Sequence, residues 1–471
     1  MKKMNCFWIM VLWPLLMVAT ASPSLAAYSS HGNDQDINNF LTVYPFAKST
    51  KLDDCSLCHP GGSITLLGKT STYGSCDYCH IKYGLAAPHG TVPLNAYGQA
   101  YKNAGRSQSA LKSIEALDSD GDAYSNLAEI QGLFYPGDVL DHPGLIPAPI
   151  IVLNQEQIFS LSGYTQFMLA NASKSRDYYA RYRGLKMSDL LSLVRALPTA
   201  TQITVFSPDG FSKTFPIKAS SPPTPANIQY DVMGYYPFGY YYGDLDFVDY
   251  SFNPGYPFDG YKISDALYML LGYMRDGYLL SKGKLIPDPQ NPGSLVLDGE
   301  GPYRLINPQK IAGNPDRAST APKVNDGWDY SSSNDHNWGS SVRTVAAIRV
   351  EPLPSGTTDF RWTEGGWNLV DKAQLVVYGA INPIPYSVVG SILDVDGNPV
   401  PDVKISFGLL SLGTVGDVTS DAAGSFRMNL PMGDYIAIPS KPGYTFDPAT
   451  IPVNLYRKVG YTIGFIAQPA P

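Results

Sequence analysis

Two short strings, Cys55-Ser-Leu-Cys58-His59 and Cys76-Asp-Tyr-Cys79-His80, constrain this chain more than any other feature. Residues 59–75 separate the two cysteine pairs, and the only other cysteine is Cys6. C-x-x-C-H is the attachment spacing of a c-type haem. The two sulfurs form thioethers with the vinyl groups, and the adjoining histidine becomes an axial ligand of the iron. A short stretch that carries two such groups must fold around them. The same four sulfurs also fit a zinc ribbon or two disulfides. Neither alternative needs a histidine directly after each second cysteine, so the reading taken is two covalent c-type haems held by Cys55, Cys58, Cys76 and Cys79. His59 and His80 are then the proximal iron ligands.

The first residues read as a secretory signal: Lys2 and Lys3, the apolar run from Phe7 to Val18, and small residues Ser24 and Ala26 before a cleavage point after Ala26. The apolar run is shorter than the roughly 20 residues a membrane span needs, and no later segment is apolar enough to cross. Cleavage removes Lys2, Lys3 and no acidic residue. The 34 basic residues then fall to 32 against 41 acidic, a net charge of −9. That balance argues against nucleic acid or anionic lipid as a partner. Charged residues make up only 16%, while Gly (44), Pro (39) and Tyr (33) abound, which points to a loop-rich and strand-rich exported chain.

Residues 27–145 form the expected haem domain. Each iron needs a sixth ligand, and no methionine lies between Met17 and Met168. His31 and His89, which flank the motifs, are the expected distal ligands, with His142 in reserve. Iron held by two histidines has no open position, so one-electron transfer is the expected work. Iron left five-coordinate would allow catalysis instead. After the motifs comes Leu94-Asn-Ala-Tyr-Gly98, then a helical periodicity from Ser107 to Leu117. Next is Asp118-Ser-Asp120-Gly-Asp122-Ala-Tyr124-Ser-Asn126-Leu-Ala-Glu129, which has the spacing of an EF-hand calcium loop. Asp118, Asp120 and Asp122 fall at positions 1, 3 and 5, Tyr124 offers its carbonyl at 7, Asn126 sits at 9 and Glu129 at 12. Ala123 stands where the pattern wants glycine, and Gly121 lies at position 4. Three carboxylates this close repel unless a cation neutralises them; the bland alternative is a solvated acidic turn.

This run of motifs resembles small cytochrome modules of metal-respiring bacteria. The resemblance implies low-potential electron transfer in the periplasm or at the bacterial cell surface, with redox proteins or extracellular electron acceptors as partners.

Asp141 to Pro149 reads as a linker. Beyond it, residues 150–382 show short β-rich runs with a few helices: an amphipathic helix from Met187 to Leu197 capped by Ser188, a hairpin over Gln202–Ile217, a second helix over Ile263–Tyr273, and strands at Tyr303–Ile306 and Val342–Val350. The strings Tyr182–Leu191, Ser207-Pro-Asp-Gly-Phe211, Gly299–Ile306 and Trp338–Val350 are similar to the molybdopterin-binding domain of the sulfite oxidase family. That family holds molybdenum through a protein cysteine, and residues 150–382 contain none. A molybdenum cofactor is therefore not expected, because hydroxyls and amides cannot stand in for a thiolate. Nine tyrosines between Tyr230 and Tyr261 form either an aromatic binding surface or a long loop packed on its own domain. His336 is expected to be a loop residue.

Residues 384–471 alternate apolar and polar side chains around turns at Asp396-Gly-Asn and Asp421-Ala-Ala-Gly, the pattern of an antiparallel sandwich. They resemble carboxypeptidase regulatory-like (transthyretin-like) domains, which implies spacing, stability or adhesion. The expected architecture is thus multidomain: a signal over 1–26, a small mostly α haem domain, an α+β middle domain and an all-β sandwich. Three functions follow: an electron carrier with accessory domains, an oxidoreductase using a five-coordinate haem or a middle-domain cofactor, or a structural surface protein.

Overall fold

A computed structural model describes residues 35–47, 52, 57–58, 62–66, 69–73, 94–139, 141–175, 177–208, 211–218, 230–234, 236, 263, 266–287, 289, 295–311, 313, 315–319, 329–359, 366–409, 413–455 and 460–470. Within them the chain is multidomain and mostly β, with few and short helices.

The N-terminal unit is built from α1 (Gln35–Val43), α2 (Ala96–Asn103), α3 (Gln108–Ser113) and α4 (Asn126–Gly132). Polar residues start three of them. The side chains of Asn95, Ser107 and Ser125 accept from the N–H groups of Gly98, Ala110 and Ala128, satisfying donors that a first helical turn leaves open. α3 is shorter than the periodicity suggests, because the chain tightens into turns from Ile114 to Leu117 before the acidic loop. Phe40, Tyr44, Leu57, Tyr97, Tyr101, Leu111, Ile114, Ile130 and Tyr135 interlock as its core. An antiparallel hairpin, Gly62–Leu66 with Lys69–Tyr73, lies between the two cysteine motifs.

Two sheets form the middle region. In the first, Tyr164–Ala170, Tyr178–Lys186 and Leu270–Arg275 run antiparallel in that order, with Tyr278–Leu279 and Arg304–Ile306 also pairing with Leu270–Arg275. In the second, the order is Ile150–Leu153, Leu375–Gly379, Ala347–Glu351, Gln202–Phe206 and Ser212–Pro216, with one parallel pair at its centre. Phe167, Leu169, Tyr179 and Leu271 from the first sheet meet Ile203, Val205, Ile348 and Val377 from the second. The expected hairpin and the strand at Tyr303–Ile306 are present, while of the strand expected over Val342–Val350 only the part from Ala347 onward forms.

Three expectations fail. No helix forms among the described residues of Ile263–Tyr273: Leu270–Arg275 is a strand with neighbours on both edges. A short run buried on both faces shows no alternation, so periodicity alone cannot separate a buried strand from a helix. The helix at Met187 ends at Leu193, and Ser188 does not cap it; Lys186, the last strand residue, sits at the cap without a side-chain bond. Arg195, in a left-handed conformation (φ 55°), turns the chain away just beyond.

The C-terminal region is two four-stranded sheets. One orders Ser425–Leu430, Tyr386–Asp394, Gly460–Pro469 and Tyr444–Asp447; the other orders Gly413–Thr419, Lys404–Leu409, Gly433–Ser440 and Ile451–Leu455. The sandwich is as expected but not wholly antiparallel, since Tyr386–Asp394 pairs parallel with Gly460–Pro469. Its core of Val388, Ile405, Phe407, Tyr435 and Phe465 is continuous with Ile150, Val152, Val376 and Tyr378 of the middle region's second sheet.

Candidate functional site

The acidic loop between α3 and α4 is the best-defined polar constellation. Asp118 accepts the backbone N–H groups of Gly121 (2.7 Å), Asp122 (3.2 Å) and Ala123 (2.9 Å), and Asp122 accepts that of Tyr124 (2.9 Å). These bonds curl the loop and hold the Asp118 carboxyl below the usual range, with the Ala123 N–H the largest cause. Gly121 and Ala123 both take left-handed backbone, φ 87° and 82°. Ala123 thus adopts the conformation a glycine would, at a cost of about 1–2 kcal/mol for an L-residue.

The curl brings carboxylate oxygens of Asp118, Asp120 and Asp122 within 4.8 Å of one another. Glu129, on the first turn of α4, is fully buried, and neither of its carboxylate oxygens has a hydrogen-bond partner. Both oxygens of Asp120 and one of Asp122 are likewise buried and unpartnered. Burial, then the charges of Asp120, Asp122, Asp118 and Asp141, push Glu129 up to about 9. Burial and Asp122 raise Asp120 as well. A cluster of orphaned carboxylates is costly as it stands. An all-oxygen set with a glutamate able to bind through two atoms suits a hard cation of calcium type. Of the six sequence-expected ligands, the carboxylates of Asp118, Asp120 and Asp122 converge, and Glu129 lies near enough for their charges to act on it. Asn126 spends its amide on the frame, donating to the Ile114 carbonyl (2.7 Å) and accepting the Ser119 N–H (3.3 Å). Tyr124, expected to offer its backbone carbonyl, stacks its ring on His142 at 5.5 Å and 8°.

Of the two C-x-x-C-H strings, only Leu57 and Cys58 are described. Cys55, His59, Cys76, Cys79, His80, His31 and His89 lie outside the described residues. Leu57 is buried in the helical core, and Cys58 packs against that core. The Cys58 carbonyl accepts the Asn95 N–H (2.8 Å), and the Leu57 carbonyl accepts the Asn95 side-chain amide (3.0 Å). In the sequence, Asn95 and Gly98 are signalled only by the string Leu94-Asn-Ala-Tyr-Gly98. His142, the reserve ligand, places Nδ1 2.9 Å from the Pro143 carbonyl.

In the middle region, Asp335 accepts the Lys310 N–H (2.6 Å) and the Tyr230 hydroxyl. Asn337, fully buried, donates to the carbonyls of Leu169 (3.0 Å) and Asn307 (2.7 Å) and accepts the Asn171 N–H (3.0 Å). His336 is largely buried between Tyr330 and Asp316. The Ser-Asn-Asp-His-Asn-Trp segment therefore ties a long connection onto the first sheet. Burial, with Asp316 adding, raises Asp177 beneath it to about 8. Tyr230 and Tyr236 are buried in the domain core; Tyr235, Tyr240, Tyr241, Tyr242, Tyr250, Tyr256 and Tyr261 lie outside the described residues.

No protein-family model matches the chain, and no curated protein does. Solved structures with local likeness include a Streptococcal ancillary pilin (21% identity, 21% of this chain and 36% of that one, TM-score 0.16). Two others are 3-chlorocatechol 1,2-dioxygenase from Rhodococcus opacus (12%, 19% and 62%, TM-score 0.15) and the Bacillus anthracis TIE protein (10%, 58% and 31%, TM-score 0.17). This chain spans less than two thirds of each. At such TM-scores the likenesses carry no argument. No helix among the described residues is long and apolar enough to cross a membrane.

Proposed function

We propose that this chain is an exported c-type cytochrome that carries two covalent haems and passes single electrons, with its haem module stapled by calcium. The observation that carries the reading is the doubled C-x-x-C-H within residues 55–80, with the described part of the first copy seated in a well-packed helical core. A haem, when bound, supplies the one-electron iron couple. Cys55, Cys58, Cys76 and Cys79 would tether the two groups. His59 and His80 would ligate from one side, and His31 and His89 from the other. Asp118, Asp120, Asp122 and Glu129, with the Tyr124 carbonyl, would hold the cation. The middle region lacks the thiolate that molybdenum chemistry of its resembled family needs, so it and the sandwich serve to present the haem module to a redox partner or at a surface.

Purified mature protein tests this directly. Pyridine haemochrome assay should count two haems per chain, with low-spin spectra and no molybdenum on metal analysis. Colourless protein, or zinc bound to the four sulfurs, refutes it. A high-spin component would replace the carrier reading with a catalytic one.

A further inference from the structure

Helix α2 does more than close the core. Its N-terminus lies directly on the first haem motif, through three linked contacts. The Asn95 N–H donates to the Cys58 carbonyl at 2.8 Å, and the Asn95 side-chain amide donates to the preceding carbonyl, that of Leu57, at 3.0 Å. The same side chain's oxygen accepts the Gly98 N–H at 2.8 Å, so one residue caps the helix and grips two successive carbonyls of the motif. Gly98 supplies the clearance. A β-carbon there would stand 2.3 Å from the Cys58 carbonyl oxygen and 3.0 Å from its carbonyl and β carbons. Backbone cannot yield as a flexible side-chain tip can, so glycine is required here by close approach and not by a left-handed φ. The loop after α4 closes on Asn95 from another side: a β-carbon at Gly137 would lie 2.6–2.7 Å from the Asn95 amide group. Asn95 is thereby held on both sides, and it holds the motif.

We infer that Asn95 and Gly98 are positioning residues for the first haem: they fix the backbone at Cys58, and through it the neighbouring ligand His59. This rests on the two-haem reading. It adds that Asn95 and Gly98 act on the first motif, through the backbone at Leu57 and Cys58.

The test uses full-length mature protein carrying Gly98→Ala, with Leu111→Ala as a comparison that loosens the same core from α3. The haem count is read by pyridine haemochrome, and each haem is followed by potentiometric titration and by its low-spin electron paramagnetic resonance signal. In Gly98→Ala, two haems should remain, one of the two potentials and one of the two low-spin signals should move, and the other should stay. Leu111→Ala should lower the melting temperature with both haem signals in place. Should Gly98→Ala not fold, Asn95→Ser keeps an oxygen for the Gly98 N–H but loses the reach to Leu57, and the same single haem should respond. Unchanged haem signals in the folded variant, equal movement of both haems, or the same response from Leu111→Ala would overturn the inference. Wild-type protein without haem would instead sink the proposed function, a result separable from any variant.

Discussion

Stripping calcium should make the N-terminal unit of this chain progressively less stable as pH rises. Glu129 is carried from 4.5 to about 9 by burial and its acidic neighbours. A carboxyl raised on folding binds its proton more tightly in the native state. Its penalty is absent below the unfolded value and grows until pH passes the folded one. At pH 7, roughly two and a half pH units above the unfolded value, the cation-free fold forgoes about 3 kcal/mol at 1.36 kcal/mol per unit. A bound divalent cation removes that penalty by pairing the charges. Amide hydrogen exchange of α4, measured at pH 5, 6, 7 and 8 in calcium and in chelator, reads it locally. Protection in the two conditions should be similar near pH 5 and differ by about a hundredfold at pH 7, the factor that about 3 kcal/mol implies. Glu129→Gln should flatten the chelator series and weaken calcium binding. Asp177 is raised too, so a general decline with pH proves nothing alone; the gap between calcium and chelator is the measure. Protection that is independent of calcium across this range would refute the reasoning.

Asn337→Ala strands the carbonyls of Leu169 and Asn307 and the Asn171 N–H in the interior, and should cost about 2–4 kcal/mol in chemical denaturation of the middle region. Haem spectra should not change; a loss below about 1 kcal/mol would show that the segment is not anchored there. Phe407→Ala opens a cavity in the sandwich core and should cost about 3–5 kcal/mol by the same measurement. Because that core runs into the middle sheet, the two regions should lose stability together, and separate transitions would contradict the shared core.

The parts legible in the sequence are those whose geometry is local. The acidic loop could be read because its carboxylates lie two residues apart and Glu129 follows on the next helical turn. Asn126, expected at position 9 of the calcium loop, binds the frame instead: an amide at that position can face either way, and the Ile114 carbonyl takes its donor. The strand at Leu270–Arg275 was hidden because apolar residues fill both its faces. The grip of Asn95 on Leu57 spans 38 residues, a distance at which spacing says nothing. The seam between the middle and C-terminal regions was missed for the same reason as the strand. Ile150–Leu153 is apolar throughout because it faces two cores, with the Val152 N–H bonded to the Met432 carbonyl (3.1 Å).

That seam bears on how the chain can be dissected. A truncated chain ending near residue 383 would lay bare Ile150, Val152, Val376 and Tyr378 together, a greasy plane for which water is a poor substitute. Such a fragment should precipitate or self-associate unless those positions are made polar. The two β regions therefore share one core, and the natural place to cut is upstream of it.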